Sequence, residues 1–162
     1  MKITSLLLCF SLIVISVPFA FAQTKSATTF KVNTLVSDGK KSKEVDSALL
    51  FQETSFKAEN RKTATPIKEF NYADIKAADY SYSKKPLLST GGAIATVIFL
   101  GLLSLPFLFM KKKQHWLSVR TDNDYVVMRL DKNNYRQIIN EFETHQVTVK
   151  TVDEENEKKK DK

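Results

Sequence analysis

The sequence predicts an α+β protein: a small β-rich extramembrane part with one closing amphipathic helix, plus one hydrophobic membrane helix. Three observations carry this expectation. Short apolar runs alternate with polar residues through 23–85, and only one soluble stretch, after Asp131, has helical spacing. The 24 residues from Leu87 to Met110 carry no charge at all. With four Gly, four Pro and one Cys in 162 residues, collagen-like, low-complexity and disulfide-scaffold classes are excluded.

Residues 1–22 read as a secretory signal. Met1-Lys2 is a positive start, Leu6 to Val17 is apolar apart from two serines, and Pro18 breaks the helix. Ala20-Phe21-Ala22 then supplies the small residues a signal peptidase reads, so the mature chain is expected to start at Gln23. The alternative, an uncleaved N-terminal anchor, has an apolar core short of the roughly 20 residues a crossing takes. Cys9 follows Leu6-Leu7-Leu8 rather than small residues, which argues against a lipoprotein. Removing the signal removes the only thiol, and the chain has no Asn-x-Ser/Thr sequon. Both fit a bacterial envelope protein.

Residues 23–85 form the expected β-rich extracytoplasmic segment, with 12 basic and 8 acidic side chains. Phe30 and Val32 alternate with polar neighbours, Asp38-Gly39 marks a turn, and Ala48-Leu49-Leu50-Phe51 is a compact apolar run. Ile67 to Tyr72 and Tyr80 to Tyr82 read as strands around a bend at Ala73-Asp74. Three to five short strands are expected here.

Residues 87–110 follow as a transmembrane helix or a re-entrant insert. At about 1.5 Å per residue a helix of this length is roughly 36 Å long, enough to cross with tilt and long for a buried soluble helix. Lys84, Lys85, Lys111, Lys112, Lys113 and Trp116 bracket the run as membrane-interface residues, with Tyr80 and Tyr82 nearby. Single-pass topology puts 23–85 outside and 111–162 in the cytoplasm, and the lysine triple fits the positive-inside rule. The alternative keeps both parts extracytoplasmic around a re-entrant segment. Basic residues on both flanks suit it, and Gly91, Gly92, Gly101 and Pro106 offer places to bend.

The segment 111–153 reads as hairpin, helix and strand. Trp116–Arg120 and Tyr125–Leu130 flank Thr121-Asp-Asn-Asp124, a hairpin signal. Asp131 is expected as an N-cap, and Tyr135, Ile138, Ile139 and Phe142 fall at i, i+3, i+4 and i+7. Val147 and Val149 suggest a closing strand. The charged tail 154–162 has no apolar residue and is expected to be disordered.

Ile67-Lys-Glu-Phe-Asn-Tyr-Ala-Asp-Ile75 followed by Tyr80 resembles the strand-bend-strand of bacterial pleckstrin-homology-like and GRAM-like domains. Leu130-Asp131, Tyr135, Ile138-Ile139 and Phe142, within 131–145, are similar to the helix that plugs the barrel of that fold. The resemblance implies one domain interrupted by 87–110, with both ends of the insert on one side, against single-pass topology. It also implies an anionic-ligand role for Lys40, Lys41 and Lys43 after the Asp38-Gly39 turn, where such domains hold phosphoinositides. A solvated loop is the plain alternative for these lysines.

No catalytic constellation stands out, and no enzymatic activity, cofactor or metal is expected. The motifs G-x-G-x-x-G, G-x-x-x-x-G-K-[ST], H-E-x-x-H and G-x-S-x-G are missing. His115 reads as an interfacial anchor and His145 as a helix C-terminal residue. Asp122/Asp124 and Glu141/Glu143 read as solvated surface. Acidic residues interleave with basic ones, which argues against nucleic acid. The expected partners are the lipid bilayer and an unidentified protein. The leading expectation is a small membrane-anchored, non-enzymatic envelope protein that binds a protein or the membrane surface. The alternative is an accessory subunit of a larger membrane complex, in which Ser89, Gly91, Gly92, Ala95 and Thr96 allow close helix approach.

Overall fold

A computed structural model describes residues 28–37, 42–90, 93–96 and 111–153. The signal peptide, Lys40, Lys41, residues 97–110 and the tail expected over 154–162 lie outside the described residues.

Eight strands form one mixed sheet, and two more form a separate hairpin. β1 (Thr28–Ser37) and β2 (Ser42–Phe51) pair along their whole length, from Thr28 opposite Phe51 to Ser37 opposite Ser42. β-branched residues dominate β1 and suit a pleated surface, with Val32 and Thr34 on its buried face. β3 (Ser55–Asn60) and β4 (Pro66–Asn71) continue the antiparallel meander. The register slips between Ala58 and Glu59, opposite the start of β4, where Pro66 has no N–H to give to the ladder. A 3-10 turn at Tyr72–Asp74 leads into β5 (Ala77–Ser83).

The apolar stretch then departs from expectation. β6 (Leu87–Thr90) and β7 (Ala93–Thr96) form a hairpin, with Leu87 opposite Thr96 and Thr90 opposite Ala93. The chain is therefore not an α+β fold with a membrane helix over 87–110. Among the described residues it is mostly one mixed β-sheet with one α-helix, and no helix there is long and apolar enough to cross a membrane. The physical reason is local. Leu-Leu-Ser-Thr and Ala-Ile-Ala-Thr flank Gly91-Gly92, a two-residue hairpin signal that a count of uncharged residues does not see. Of the small residues read for helix approach, Ser89, Ala95 and Thr96 lie in this hairpin, and Gly91 and Gly92 lie outside the described residues.

β8 (Gln114–Arg120) and β9 (Tyr125–Leu130) form the expected hairpin. Thr121 N donates to the Asp124 carbonyl at 2.8 Å, and Asp124 N donates to Thr121 Oγ1 at 3.0 Å. The helix α1 (Tyr135–Thr144) follows, and β10 (Val149–Thr151) closes the chain in parallel beside β5. Asp131 is not the cap. It makes a turn before the helix, its Oδ1 accepting from Asn133 N, and Asn134 occupies the cap position. At the other end Val147 N donates to the Phe142 carbonyl and Gln146 N to the Glu143 carbonyl, both at 2.9 Å. This Schellman motif has Gln146 at φ 64, where glycine is usual.

The spatial order is β10-β5-β8-β9-β1-β2-β3-β4. β5 pairs with β8 from Ala77 opposite Arg120 to Ser83 opposite Gln114, so strands from both sides of 87–110 share one sheet. In a flat sheet six strand spacings would separate β5 from β4 by about 29 Å. Only residues 72–76 join them, a reach of about 20 Å when extended. The sheet must curl, and α1 fills its concave side. Phe142 meets Phe51 and Phe56 edge-on, each at 5.0 Å, and Ile138 is buried beside Val32, Leu117 and Met128 in the same core. The ion pair of Lys68 with Asp124, at 2.5 Å, fastens β4 to the β8–β9 turn.

Candidate functional site

The ends of β5 and β8 decide where the flanks of the apolar stretch go. Ser83 lies opposite Gln114, so Lys84-Lys85 leaves the sheet beside the point where Lys111-Lys112-Lys113 enters. Five lysines in two groups, 26 residues apart in sequence from Lys85 to Lys111, thus gather at one pole of the curled sheet. Lys84 and Lys111 to Lys113 are exposed, and Lys85 is half-buried, its carbonyl accepting from Ser83 Oγ.

Trp116 does not join them. It is 0% exposed, on the face of β8 away from α1, and its Nε1 donates to the Ser83 carbonyl at 3.2 Å. The expected interfacial anchor is a buried side chain because β6 lies against β5 and β8 on that outer face. A polar pin holds the hairpin there. Asp79, 2% exposed, accepts from Ser89 Oγ at 2.6 Å and Ser89 N at 3.0 Å, and Ser81 Oγ accepts from Leu87 N at 3.4 Å. Each carboxylate oxygen therefore has a donor, as a buried charge requires.

On the concave side at the same pole, aromatic rings surround His115. Its ring stacks on Tyr135 at 4.1 Å and is tilted against Tyr82 at 4.7 Å. Tyr80 Oη shares a hydrogen bond of 2.7 Å with His115 Nδ1. Burial lowers the His115 pKa below its ordinary value, with Asp131 acting against the shift. Burial pushes the Tyr80 hydroxyl up to about 12. His115, expected at the membrane edge, is part of the packing between β5, β8 and the start of α1. His145 closes the helix as expected and stacks on Tyr72 at 4.2 Å.

A notch of about 350 Å³ opens beside this cluster. β9 stops at Leu130, opposite Val32 on one side and His115 on the other, while β1 runs on to Thr28. Asn134 crosses the space left by β9, its Nδ2 donating to the Lys31 carbonyl at 2.8 Å. Lys31, Lys113, Arg129 and Lys132 line the notch with Tyr82, His115 and one carboxylate, Asp131. Among the described residues Lys31, Lys113 and Lys132 make no ion pair, whereas Arg129 Nη2 meets Glu44 at 2.5 Å. Arg129 Nε is buried without a hydrogen-bond partner.

The opposite pole is acidic. A depression of about 400 Å³ there is lined by Glu69, Asp74, Asp122 and Asp124 together with Lys76. Asp122 and Asp124, expected as solvated surface, are partnered by Lys76 at 3.3 Å and Lys68 at 2.5 Å. Lys43 sits opposite Val36, beyond the Thr34–Met128 pair and so toward this pole. It is not brought to the lysine pole or the notch. Among the described residues no group of three or more His, Cys, Asp or Glu side chains is placed to hold a metal ion.

Sequence reasoning named the five lysines but missed Lys31, Arg129 and Lys132, of which Lys31 is far in the chain from the other two. The signal available was the end of the β9 pattern at Leu130, directly before Asp131-Lys132. No family model matches the chain, and no curated protein matches it.

Proposed function

We propose that the chain is a non-enzymatic module that binds an anionic membrane surface through its lysine pole, with both flanks of the apolar segment on one side of the bilayer. The observation that carries this reading is the β5–β8 ladder, which brings Lys84-Lys85 and Lys111-Lys112-Lys113 together where the segment leaves and re-enters the sheet. Each lysine near an anionic surface contributes about 1 kcal/mol, so convergence matters more than the modest net charge. The acidic groups at the far pole orient the domain in the same field.

Length supports a dip rather than a crossing. After the β6–β7 hairpin only residues 97–110 remain before Lys111, 14 residues where a crossing needs about 20.

Partitioning of the full chain between vesicles with 30% phosphatidylglycerol and vesicles of phosphatidylcholine alone tests the reading. The chain should prefer the anionic vesicles. Replacing Lys84, Lys85, Lys111 and Lys112 with Gln should reduce that preference by about two orders of magnitude or more. Equal partitioning, or a preference unchanged by the four substitutions, overturns it.

A further inference from the structure

We propose that the notch below the end of β9 is a binding site for a phosphate-type anion, with Lys31, Lys113, Arg129 and Lys132 as its charged contacts. The inference deepens the membrane-surface reading by naming a headgroup chemistry, and it rests on that reading only for the lipid source of the anion.

The geometry favours an anion of this size. The notch, at about 350 Å³, is at the small end of ligand sites, and Val32 and Leu130 give it a buried apolar floor. Lys31, Lys113 and Lys132, with Arg129 already paired to Glu44, against the one carboxylate of Asp131 leave its lining positive. They reach it from three elements: Lys31 from β1, Lys113 from the entry to β8, and Arg129 and Lys132 from the end of β9 and the turn after it. Donors converging from several directions match a tetrahedral group with several acceptor oxygens better than a planar carboxylate. Arg129 lines the notch while Glu44 takes one terminal nitrogen of its guanidinium. Tyr82, 51% exposed with Lys113 Nζ 6.0 Å from its ring centre, forms an outer wall.

The test is a titration of the full chain in dodecyl maltoside, following the His115 ring and Tyr82 resonances by NMR. Inorganic phosphate should give saturable shifts, with chloride and acetate at matched ionic strength giving none. Lys31→Gln with Lys132→Gln should weaken the phosphate response about tenfold or more. Both side chains are exposed, and unchanged Trp116 emission verifies the fold of the double variant. Linear shifts, equal shifts with acetate, or a double variant that titrates like the parent overturn the site.

Two further arms identify the source. Glycerol phosphate in solution and vesicles with 30% phosphatidylglycerol are added separately, and either response supports the site while naming its ligand as free or lipid-borne. Silence in both overturns it. The double variant keeps Lys84, Lys85, Lys111 and Lys112, so loss of phosphate binding with retained vesicle preference separates failure of the notch from failure of the pole.

Discussion

Tyr80 Oη and His115 Nδ1 are 2.7 Å apart although 35 residues of chain, including the whole apolar stretch, separate them. Their rings stack in turn on Tyr135 at the first turn of α1, at 5.7 and 4.1 Å. One cluster therefore joins the segment before the insert, the segment after it, and the helix that fills the sheet.

The cluster makes stability sensitive to acid. His115 has its pKa lowered in the folded chain, chiefly by burial, from an ordinary value of 6.5. The unfolded chain then binds the proton more readily, so stability is complete above about pH 6.5 and declines as pH falls through the lower folded pKa. Thermal unfolding of the parent should show this decline below pH 6.5, and His115→Asn should flatten it. A variant with the same slope as the parent would assign the acid sensitivity elsewhere.

The pin between Asp79 and Ser89 should be visible through Trp116, the only tryptophan in the chain. Ser89→Ala removes a donor from a buried carboxylate and should cost about 1–3 kcal/mol of hairpin docking. Emission from Trp116 should then shift to the red and become quenchable by acrylamide. Emission unchanged from the parent would mean that buried Leu87 and its bond to Ser81 suffice to hold the hairpin down.

Phe142 is the central contact of the helix, edge-on to both Phe51 and Phe56. Truncation to Ala leaves a cavity between helix and sheet and should destabilise the domain by about 3–5 kcal/mol, read from urea unfolding. Ile139, half-buried on the same helix, should cost much less on the same substitution.

Gln146 holds a left-handed conformation at φ 64 in the Schellman turn after α1. A side chain with Cβ pays about 1 kcal/mol there, so Gln146→Gly should raise stability by about that amount. A decrease would show that the Gln146 side chain makes a compensating contact.

Much of the sheet was legible because it is written locally. The Tyr125–Leu130 alternation, the Ile67–Tyr72 run and the 3.6-residue stripe from Tyr135 to Phe142 each carry a period that survives in the structure. The apolar stretch was misread because uniform hydrophobicity has length but no period, and length alone favoured a helix over the Gly91-Gly92 hairpin signal. Trp116 was misplaced for a related reason. Neighbouring lysines suggested an interface, whereas burial depends on β6, which folds back over β5 and β8. The notch was illegible because its cations come from β1, the entry to β8 and the end of β9 with the turn after it, and β1 pairs with β9 only through Val32, Asn33 and Thr34.

The central claim is that the parts before and after the apolar segment lie on the same side of the membrane. With Cys9 replaced by Ser, single cysteines at Ser55 and at Asp122 can be probed in intact cells with an impermeant maleimide, and again after permeabilisation. The account predicts that the two positions behave alike, both reacting before permeabilisation or both only after it. Reaction at one position alone in intact cells, with both reacting after permeabilisation, would contradict it.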